Sequence, residues 1–255
     1  MGTVFSLDVR GGAPDRIAAA VEGAAAWLRH VDEVFSTYRP GSQISRLAAG
    51  GLTLARCSAE VREVHRLCED ARRRTGGWFS AAYAGGFDPT GLVKGWAVER
   101  AAEMLRSAGA DAVCVNGGGD VQTFGGPWRI GVADPLRPGA VAAVVRAGEG
   151  AGGTAHGDGL AVATSGPAER GGHVLDPHTG RPPRDALASL TVVSRTLTEA
   201  DVAATAAYAM GARARGWLAA EPGTEAFAVT AGGRTWHTAG FGALADPPAG
   251  RTPGR

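Results

Sequence analysis

The chain has 255 residues, 44% of them hydrophobic and 20% charged, which is enough length and apolar content for one large domain or two small ones around a buried core. Lys and Arg number 26 against 25 Asp and Glu, a net charge of +1 that excludes a general attraction to nucleic acid or to anionic membrane. A polyanionic ligand must therefore be held by a local site.

In chain order, Thr3–Val9 alternates like a strand, and Ala13–Phe35 carries apolar residues at helical spacing. Glu60–Thr75 reads as a second amphipathic helix closed by Gly76-Gly77, and Trp96–Ala108 as a third ending at Gly109. Short β-like runs follow at Ala112–Asn116, Val121–Phe124, Trp128–Val132, Ala140–Val145, Leu160–Thr164, His173–Leu175 and Leu190–Ser194. Thr198 opens a fourth helix to Gly211, which Ala212–Ala220 extends, and Phe227–Thr230 with Arg234–His237 reads as a closing hairpin. From Ala245 the Pro/Gly/Arg-rich end reads as a disordered tail, residues 245–255, after a single catalytic unit over 1–244. Helices, then consecutive short strands, then helices again predict an α+β fold with mixed or largely antiparallel sheets flanked by helices.

Cys57, Cys68 and Cys114 are widely spaced and odd in number, so they frame no disulfide scaffold and favour a reducing compartment. The opening MGTVFSLDVR has no basic segment followed by an apolar one, and no apolar run reaches bilayer-spanning length. The expectation is a cytoplasmic chain with no membrane insertion and no nucleic-acid partner. Forty glycines cluster between the periodic segments, as tight turns and close ligand approaches require.

Four segments carry candidate chemistry. In Thr198–Thr205, Asp201 and Thr205 stand at i and i+4 on one helix face, and a carboxylate beside a hydroxyl offers hard oxygens suited to Mg²⁺. The same spacing is also explained by a capping box from Thr198 to Asp201, with Thr205 bonding back to the helix backbone. In Phe87–Val98, Asp88, a tight turn and Lys94 precede a helix N-terminus, a place that attracts phosphate; the segment by itself is read more simply as a turn and a capped helix with a solvated lysine. In Gly172–Gly180, His173 leads a short run into an Asp-Pro turn and is placed either as a general base or as a structural histidine. Neither His173 nor His178 has zinc-site spacing. Gly117-Gly118-Gly119 between two strands makes a turn whose amides could line a ligand, and it contains no GxGxxG fingerprint.

Taken in order, these segments resemble the FAD:protein FMN transferases, the ApbE family. The resemblance rests on Met1-Gly2-Thr3; on Phe35-Ser36-Thr37-Tyr38 followed by Ser42-Gln43-Ile44-Ser45-Arg46-Leu47; and on the D-x-x-G-x-x-K-G stretch from Asp88 to Gly95. It continues through the N-x-G-G-D-like Asn116–Asp120, Ala163-Thr164-Ser165-Gly166, His173–Gly180 and Ala200–Thr205, and so covers roughly residues 1–211. Several motifs in order are far more specific than any one of them.

The resemblance implies a T-fold-like catalytic unit. It implies an Mg²⁺ site made by the Asp201 carboxylate, the Thr205 hydroxyl and the Gly91 carbonyl. It implies an FAD pocket lined by Met1, Tyr38, Asp88, Lys94 and the backbone near Leu175, with Trp78, Phe79 and Ser80 in a further flavin-contacting stretch. His173, with Asp201 as the metal-adjacent carboxylate, would serve the receiving hydroxyl. The implied activity is Mg²⁺-dependent transfer of FMN from FAD to a Ser or Thr hydroxyl of an acceptor flavoprotein, with release of AMP. Its alternatives are an FAD pyrophosphatase giving FMN and AMP, and a non-catalytic FAD-binding protein. Two departures from the family pattern are Ala48, where Asn is common, and Ser80, where Asp is common; the stretch from Gly77 to Asp88 is also short.

Overall fold

The computed structural model describes residues 2–82, 86–148, 159–167, 174–183 and 187–246. Strand β1 (Phe5–Arg10) leads into the long helix α1 (Pro14–Phe35), then α2 (Gln43–Ala48), α3 (Ala59–Arg74) and α4 (Thr90–Ser107). A run of strands follows: β2 (Ala112–Gly117), β3 (Asp120–Phe124), β4 (Trp128–Ala133), β5 (Val141–Ala147), β6 (Gly159–Ser165) and β7 (Leu187–Ser194). Helices α5 (Leu197–Met210) and α6 (Ala214–Ala220), strands β8 (Glu225–Thr230) and β9 (Thr235–His237), the short α7 (Phe241–Leu244) and β10 (Ala245–Asp246) complete the order.

Seven strands form one sheet in the order β1-β2-β3-β6-β7-β8-β9, and β10-β5-β4 form a second; every described pairing between strands is antiparallel. The large sheet is buried on both faces, and alternation along its strands sorts residues between two cores. Val113, Val115, Ala161, Ala163, Leu190, Val192, Ala226 and Ala228 join the helices. Leu160, Val162, Val193, Phe227 and Val229 join the small sheet and α7. The result is three layers of helices, central sheet and small sheet. Double burial also explains why β6 and β7 read as continuous apolar runs instead of alternating ones.

The helix-facing positions of β6 and β8 are alanines, and so are Ala200, Ala204 and Ala207 of α5, all fully buried. Small side chains on both surfaces let α5 settle close to the sheet, with α4 beside it. Between α4 and α5 the fit is tighter still. A Cβ on Gly95 would stand 2.7 Å from the Leu197 carbonyl oxygen and 2.9 Å from Asp201 Cβ, so only glycine admits this approach. Glycine within a helix costs about 0.5–1 kcal/mol relative to alanine, and α4 carries two in its first two turns, Gly91 and Gly95.

Four readings are corrected. Helix α4 begins at Thr90, six residues before Trp96, because Asp88 Oδ1 accepts the Thr90 amide at 3.0 Å and Pro89 stands at the N-cap. Its first two turns hide their helical period, since Leu92 to Val98 are buried on every side. The run His173–Leu175 makes no strand over Val174 and Leu175; pairing there is a single bridge from Asp176 to Arg181, and His173 lies outside the described residues. Ala245 and Asp246 form β10 and do not begin a tail: Ala245 is buried, and Arg146 holds Asp246 through both carboxylate oxygens at 2.8 and 2.9 Å. The rest of the expected tail, 247–255, lies outside the described residues. Helix α5 is capped by Thr196, whose hydroxyl accepts the Glu199 amide at 3.4 Å, and not by a Thr198–Asp201 box. Helix α2, which the motif pattern concealed, is capped by Ser42, whose hydroxyl accepts the Ser45 amide at 3.0 Å.

Candidate metal and nucleotide site

With Thr196 as the cap, Asp201 does not close a capping box with Thr198. Thr198 is taken elsewhere: its hydroxyl and its amide both donate to Glu99 Oε2, at 2.6 and 2.9 Å, joining α5 to α4. Burial pushes the Glu99 carboxyl above its ordinary value of 4.5, while the two Thr198 hydrogen bonds pull the other way.

Asp201 and Thr205 face the two glycines of α4 in matching steps. The Gly95 amide donates to Asp201 Oδ2 at 3.1 Å. One turn earlier, a Cβ on Gly91 would stand 3.4 Å from Thr205 Cγ2, 3.6 Å from Thr205 Oγ1 and 3.3 Å from Phe79. In a regular α-helix the Gly95 N–H is the partner of the Gly91 carbonyl. Here that N–H donates to Asp201 Oδ2. Asp201 and Thr205 thus stand opposite Gly95 and Gly91 where the two antiparallel helices α4 and α5 cross.

Among the described residues, no three His, Cys, Asp or Glu side chains gather as a metal cluster. The crossing itself offers a carboxylate, a hydroxyl and main-chain carbonyl oxygens as donors. An all-oxygen set with one carboxylate matches what Mg²⁺ takes when phosphate supplies its other ligands. A Cβ at Gly91 would fill the gap between Phe79 and Thr205, and the carboxylate, hydroxyl and carbonyl oxygens available at the crossing are donors of the kind the ion takes. Asp201 is 5% exposed and accepts the Gly95 amide, so its buried oxygen has a hydrogen-bond partner.

Lys94 takes a place the sequence leaves undecided. It is 7% exposed and ion-paired with Asp120 Oδ2, and Asp120 is fully buried, so a solvated lysine is excluded. Asp120 Oδ1 accepts the Thr164 amide at 2.9 Å, and Thr164 Oγ1 meets Thr191 Oγ1 at 2.9 Å. Asp120 follows the triple glycine, where Gly118 and Gly119 have φ of 62° and 93° and close the β2–β3 hairpin. The Asn116 side chain accepts the Gly119 amide at 2.9 Å across that turn. Three motif segments, on α4, β3 and β6, thus meet through one carboxylate. The sequence quotes Asp120 within a motif without signalling that Lys94 is its partner.

The other expected residues scatter around this crossing. Asp88 holds the start of α4, and its amide donates to the Ala81 carbonyl at 2.7 Å. Phe79 is buried against Gly91, where it packs as core, and its amide donates to Thr75 Oγ1 at 2.9 Å. Ser80 Oγ accepts the Ala82 amide at 3.2 Å in a local turn. Tyr38 is 94% exposed, with its amide donating to Ser36 Oγ at 3.2 Å. Ala48, at the end of α2, is the neighbour of Gly86: a Cβ there would stand 3.4 Å from the Ala48 Cβ. Met1 and His173 lie outside the described residues.

Leu175 is half-buried and leads into the turn in which the Asp176 carbonyl accepts the Gly180 amide at 2.8 Å. Beside this turn, Trp78 packs edge-on to His178 with ring centroids 4.6 Å apart, and Arg213 lies 5.6 Å from the Trp78 ring. Trp78 and Arg213 border a cleft of about 520 Å³ that also touches Asp176, Arg181 and Met210. Met210 and Ala209 end the same helix that carries Asp201 and Thr205, so the cleft opens about one turn beyond the crossing.

A three-layer antiparallel α+β unit with an oxygen-lined helix crossing is the class these observations define. The fold is shared with solved flavin transferases. The structure of flavin transferase ApbE from Vibrio cholerae superposes with a TM-score of 0.77 at 20% identity, covering 96% of each chain. The ApbE protein of Thermotoga maritima gives a TM-score of 0.77 at 21% identity, covering 95% of this chain and 98% of that one. The ApbE family model matches residues 1–86 and 82–228, and the chain belongs to the ApbE family. Among curated proteins, the FAD:protein FMN transferase of Vibrio cholerae is 31% identical over 148 residues, which are 52% of this chain and 41% of that protein. The one from Rhodobacter capsulatus is 36% identical over 146 residues, 52% of this chain and 26% of that protein. The matched stretch is thus less than half of either relative. Among the described residues no helix is long and apolar enough to cross a membrane.

Proposed function

We propose that this protein transfers FMN from FAD to a Ser or Thr hydroxyl of an acceptor flavoprotein, with release of AMP, using Mg²⁺ held at the α4–α5 crossing. The observation that carries the reading is the paired approach of Gly95 to Asp201 and of Gly91 to Thr205. Family membership and the name carried by the curated relatives support the choice of FAD over other diphosphates.

Asp201, Thr205 and the Gly91 carbonyl would hold the ion, which when bound neutralises charge on a diphosphate. The chain's own residues do the rest. The crossing would hold the dinucleotide at its diphosphate, and the glycines let the backbone come within reach of it. The acceptor oxygen forms a bond to the FMN phosphorus as the bond from that phosphorus to the AMP oxygen breaks. His173 receives the proton of the attacking hydroxyl, and AMP leaves with the bridging oxygen. Tyr38, Trp78, Asp88 and the backbone at Leu175 would border the flavin nucleotide.

Intact mass of a candidate acceptor, after incubation with FAD and Mg²⁺, tests the reading. The expected result is a gain of one FMN phosphoester with equimolar AMP. FMN and AMP released in solution with no gain in acceptor mass would identify a pyrophosphatase. Intact FAD retained indefinitely would identify a binding protein. Either result would overturn the proposal.

A further inference from the structure

Helix α5 carries Asp201 and Thr205 on a surface that does little to fix its own placement. After Leu197 its buried positions are Ala200, Asp201, Val202 and Ala204, then Ala206 and Ala207. Helices lodge on their neighbours through ridges of side chains, and ridges of alanine are shallow enough to let a helix slide or turn. Polar pins at the first turn supply what packing does not. The Leu197 amide donates to Gln122 Oε1 of β3 at 2.8 Å. The Thr198 amide and hydroxyl donate to Glu99 Oε2 of α4 at 2.9 and 2.6 Å. Only the next amide, that of Glu199, goes to the helix's own cap at Thr196. The first amides of a helix are ordinarily taken by its cap or by water, whereas here two are held by other elements. Gln122 is itself fully buried, and its Nε2 donates to the Arg195 carbonyl at 3.3 Å.

Both pins bear on the crossing. Leu197 is the residue whose carbonyl oxygen a Cβ on Gly95 would meet at 2.7 Å. Glu99 lies about one turn after Gly95 on α4, and Thr198 about one turn before Asp201 on α5. Glu99 with Thr198 and Gly95 with Asp201 are thus successive rungs between antiparallel helices. We infer that Glu99 and Gln122 are positioning residues for the cation site: they fix the axial placement and rotation of α5 and so hold Asp201 against Gly95. This role rests on the function proposed above, in which neither residue touches the ion or the nucleotide.

The test uses the full chain and the variants E99L, E99Q, Q122M and L244A. E99L removes the acceptor of both Thr198 bonds, E99Q keeps an acceptor oxygen, and Q122M leaves the Leu197 amide without its partner. Leu244→Ala opens a cavity in the core shared with the small sheet and is the control for stability alone. Three readouts are taken: thermal melting, the Gly95 amide proton shift in the metal-free chain with D201N as reference, and Mn²⁺ affinity by electron paramagnetic resonance with FAD present. E99L, Q122M and L244A are each expected to melt roughly 5 °C lower. In E99L and Q122M the Gly95 amide moves toward its D201N position, and Mn²⁺ affinity falls about tenfold, as when a metal ligand loses an outer support. In E99Q and L244A the amide stays in place and the affinity holds within about twofold. Should E99L not fold, T198V, which removes the hydroxyl alone, takes its place with a loss of about threefold expected.

Unchanged Mn²⁺ affinity in folded E99L and Q122M would overturn the inference. An equal loss in L244A would also overturn it, leaving the pins a role in stability alone. A loss in E99Q as large as that in E99L would make the charge of Glu99 the cause and overturn its role as a pin. No Mn²⁺ binding by the unmodified chain would overturn the reading of the crossing as a cation site, whereas a Gly95 amide unmoved in the folded variants would overturn the positioning role by itself.

Discussion

Asp201 is a carboxylate on a helix whose other buried residues are apolar, so its retention asks for a reason. The reason proposed is the cation, and Asp201→Ala is expected to lower Mg²⁺-dependent turnover by about a hundredfold or more while the chain stays folded, since about 1.4 kcal/mol corresponds to each factor of ten. Thr205→Val, which keeps the shape and removes the hydroxyl, is expected to cost on the order of tenfold. Steady-state rates across a Mg²⁺ titration, with circular dichroism as the control for folding, check both. Wild-type turnover in Asp201→Ala would remove Asp201 from the site. Legibility at this scale was uneven. The i, i+4 relation of Asp201 and Thr205 is written in the sequence, yet spacing alone could not separate a ligand pair from a capping box. The discriminating fact is that Thr196 takes the cap and Thr198 turns to Glu99.

Glu99 carries the pH dependence that can be signed. Its carboxyl is raised by burial, so the native chain holds a proton that the unfolded chain has released once pH exceeds the ordinary value of 4.5. This contribution to stability is complete below that value and is lost as pH rises through the raised native value. Glu99→Gln keeps an oxygen to accept from Thr198 and removes the charge. The melting temperature of the variant minus that of the parent is expected to grow as pH rises from about 4.5 toward neutrality, following the direction of the shift. A difference independent of pH would contradict the assignment.

At the scale of elements, the α4–α5 crossing makes a split prediction for its two glycines. A methyl at Gly95 meets the Leu197 carbonyl oxygen and Asp201 Cβ, neither of which can rotate away, so overpacking of about 1–3 kcal/mol outweighs the helix-propensity gain of about 0.5–1 kcal/mol. A methyl at Gly91 meets side chains of Phe79 and Thr205 at 3.3 and 3.4 Å, contacts that yield by small shifts. Gly95→Ala is therefore expected to lower stability, and Gly91→Ala to leave it within about 1 kcal/mol while weakening Mg²⁺ dependence by placing a methyl 3.6 Å from Thr205 Oγ1. Denaturant unfolding together with metal titration separates the two effects. Element boundaries show the same physics. The first turns of α4 escaped the sequence reading because full burial erases the 3.6-residue period and glycine weakens helix propensity. Helix α1, with one face toward the core, was legible from Ala13 to Phe35 and is observed from Pro14 to Phe35.

At the scale of the molecule, the α+β architecture with antiparallel sheets follows from the order of elements. The two-core layering does not. Which strand faces which layer depends on pairings such as β3 with β6 and β6 with β7, between segments remote in sequence. Site assembly is non-local in the same sense: Gly91, Asp120, Thr164 and Asp201 come from four segments, and only the fold brings them within one turn of α4. The motifs could be quoted in order from the sequence, but their convergence could not be computed from spacing. Binding of FAD with Mg²⁺ across this assembly is expected to stabilise the whole chain, by about 2.7 kcal/mol at a hundredfold excess over Kd. Thermal melting with each ligand alone and with both checks this, and additive single-ligand shifts with no gain from the pair would speak against a joint site.

The most direct measurement is a crystal structure with FAD and Mn²⁺ substituted for Mg²⁺, read by anomalous scattering. The account predicts one strong peak at the α4–α5 crossing, ligated by Asp201, Thr205 Oγ1 and the Gly91 carbonyl, with the remaining positions taken by diphosphate oxygens. A peak elsewhere, or FAD bound with its diphosphate away from this crossing, would contradict it.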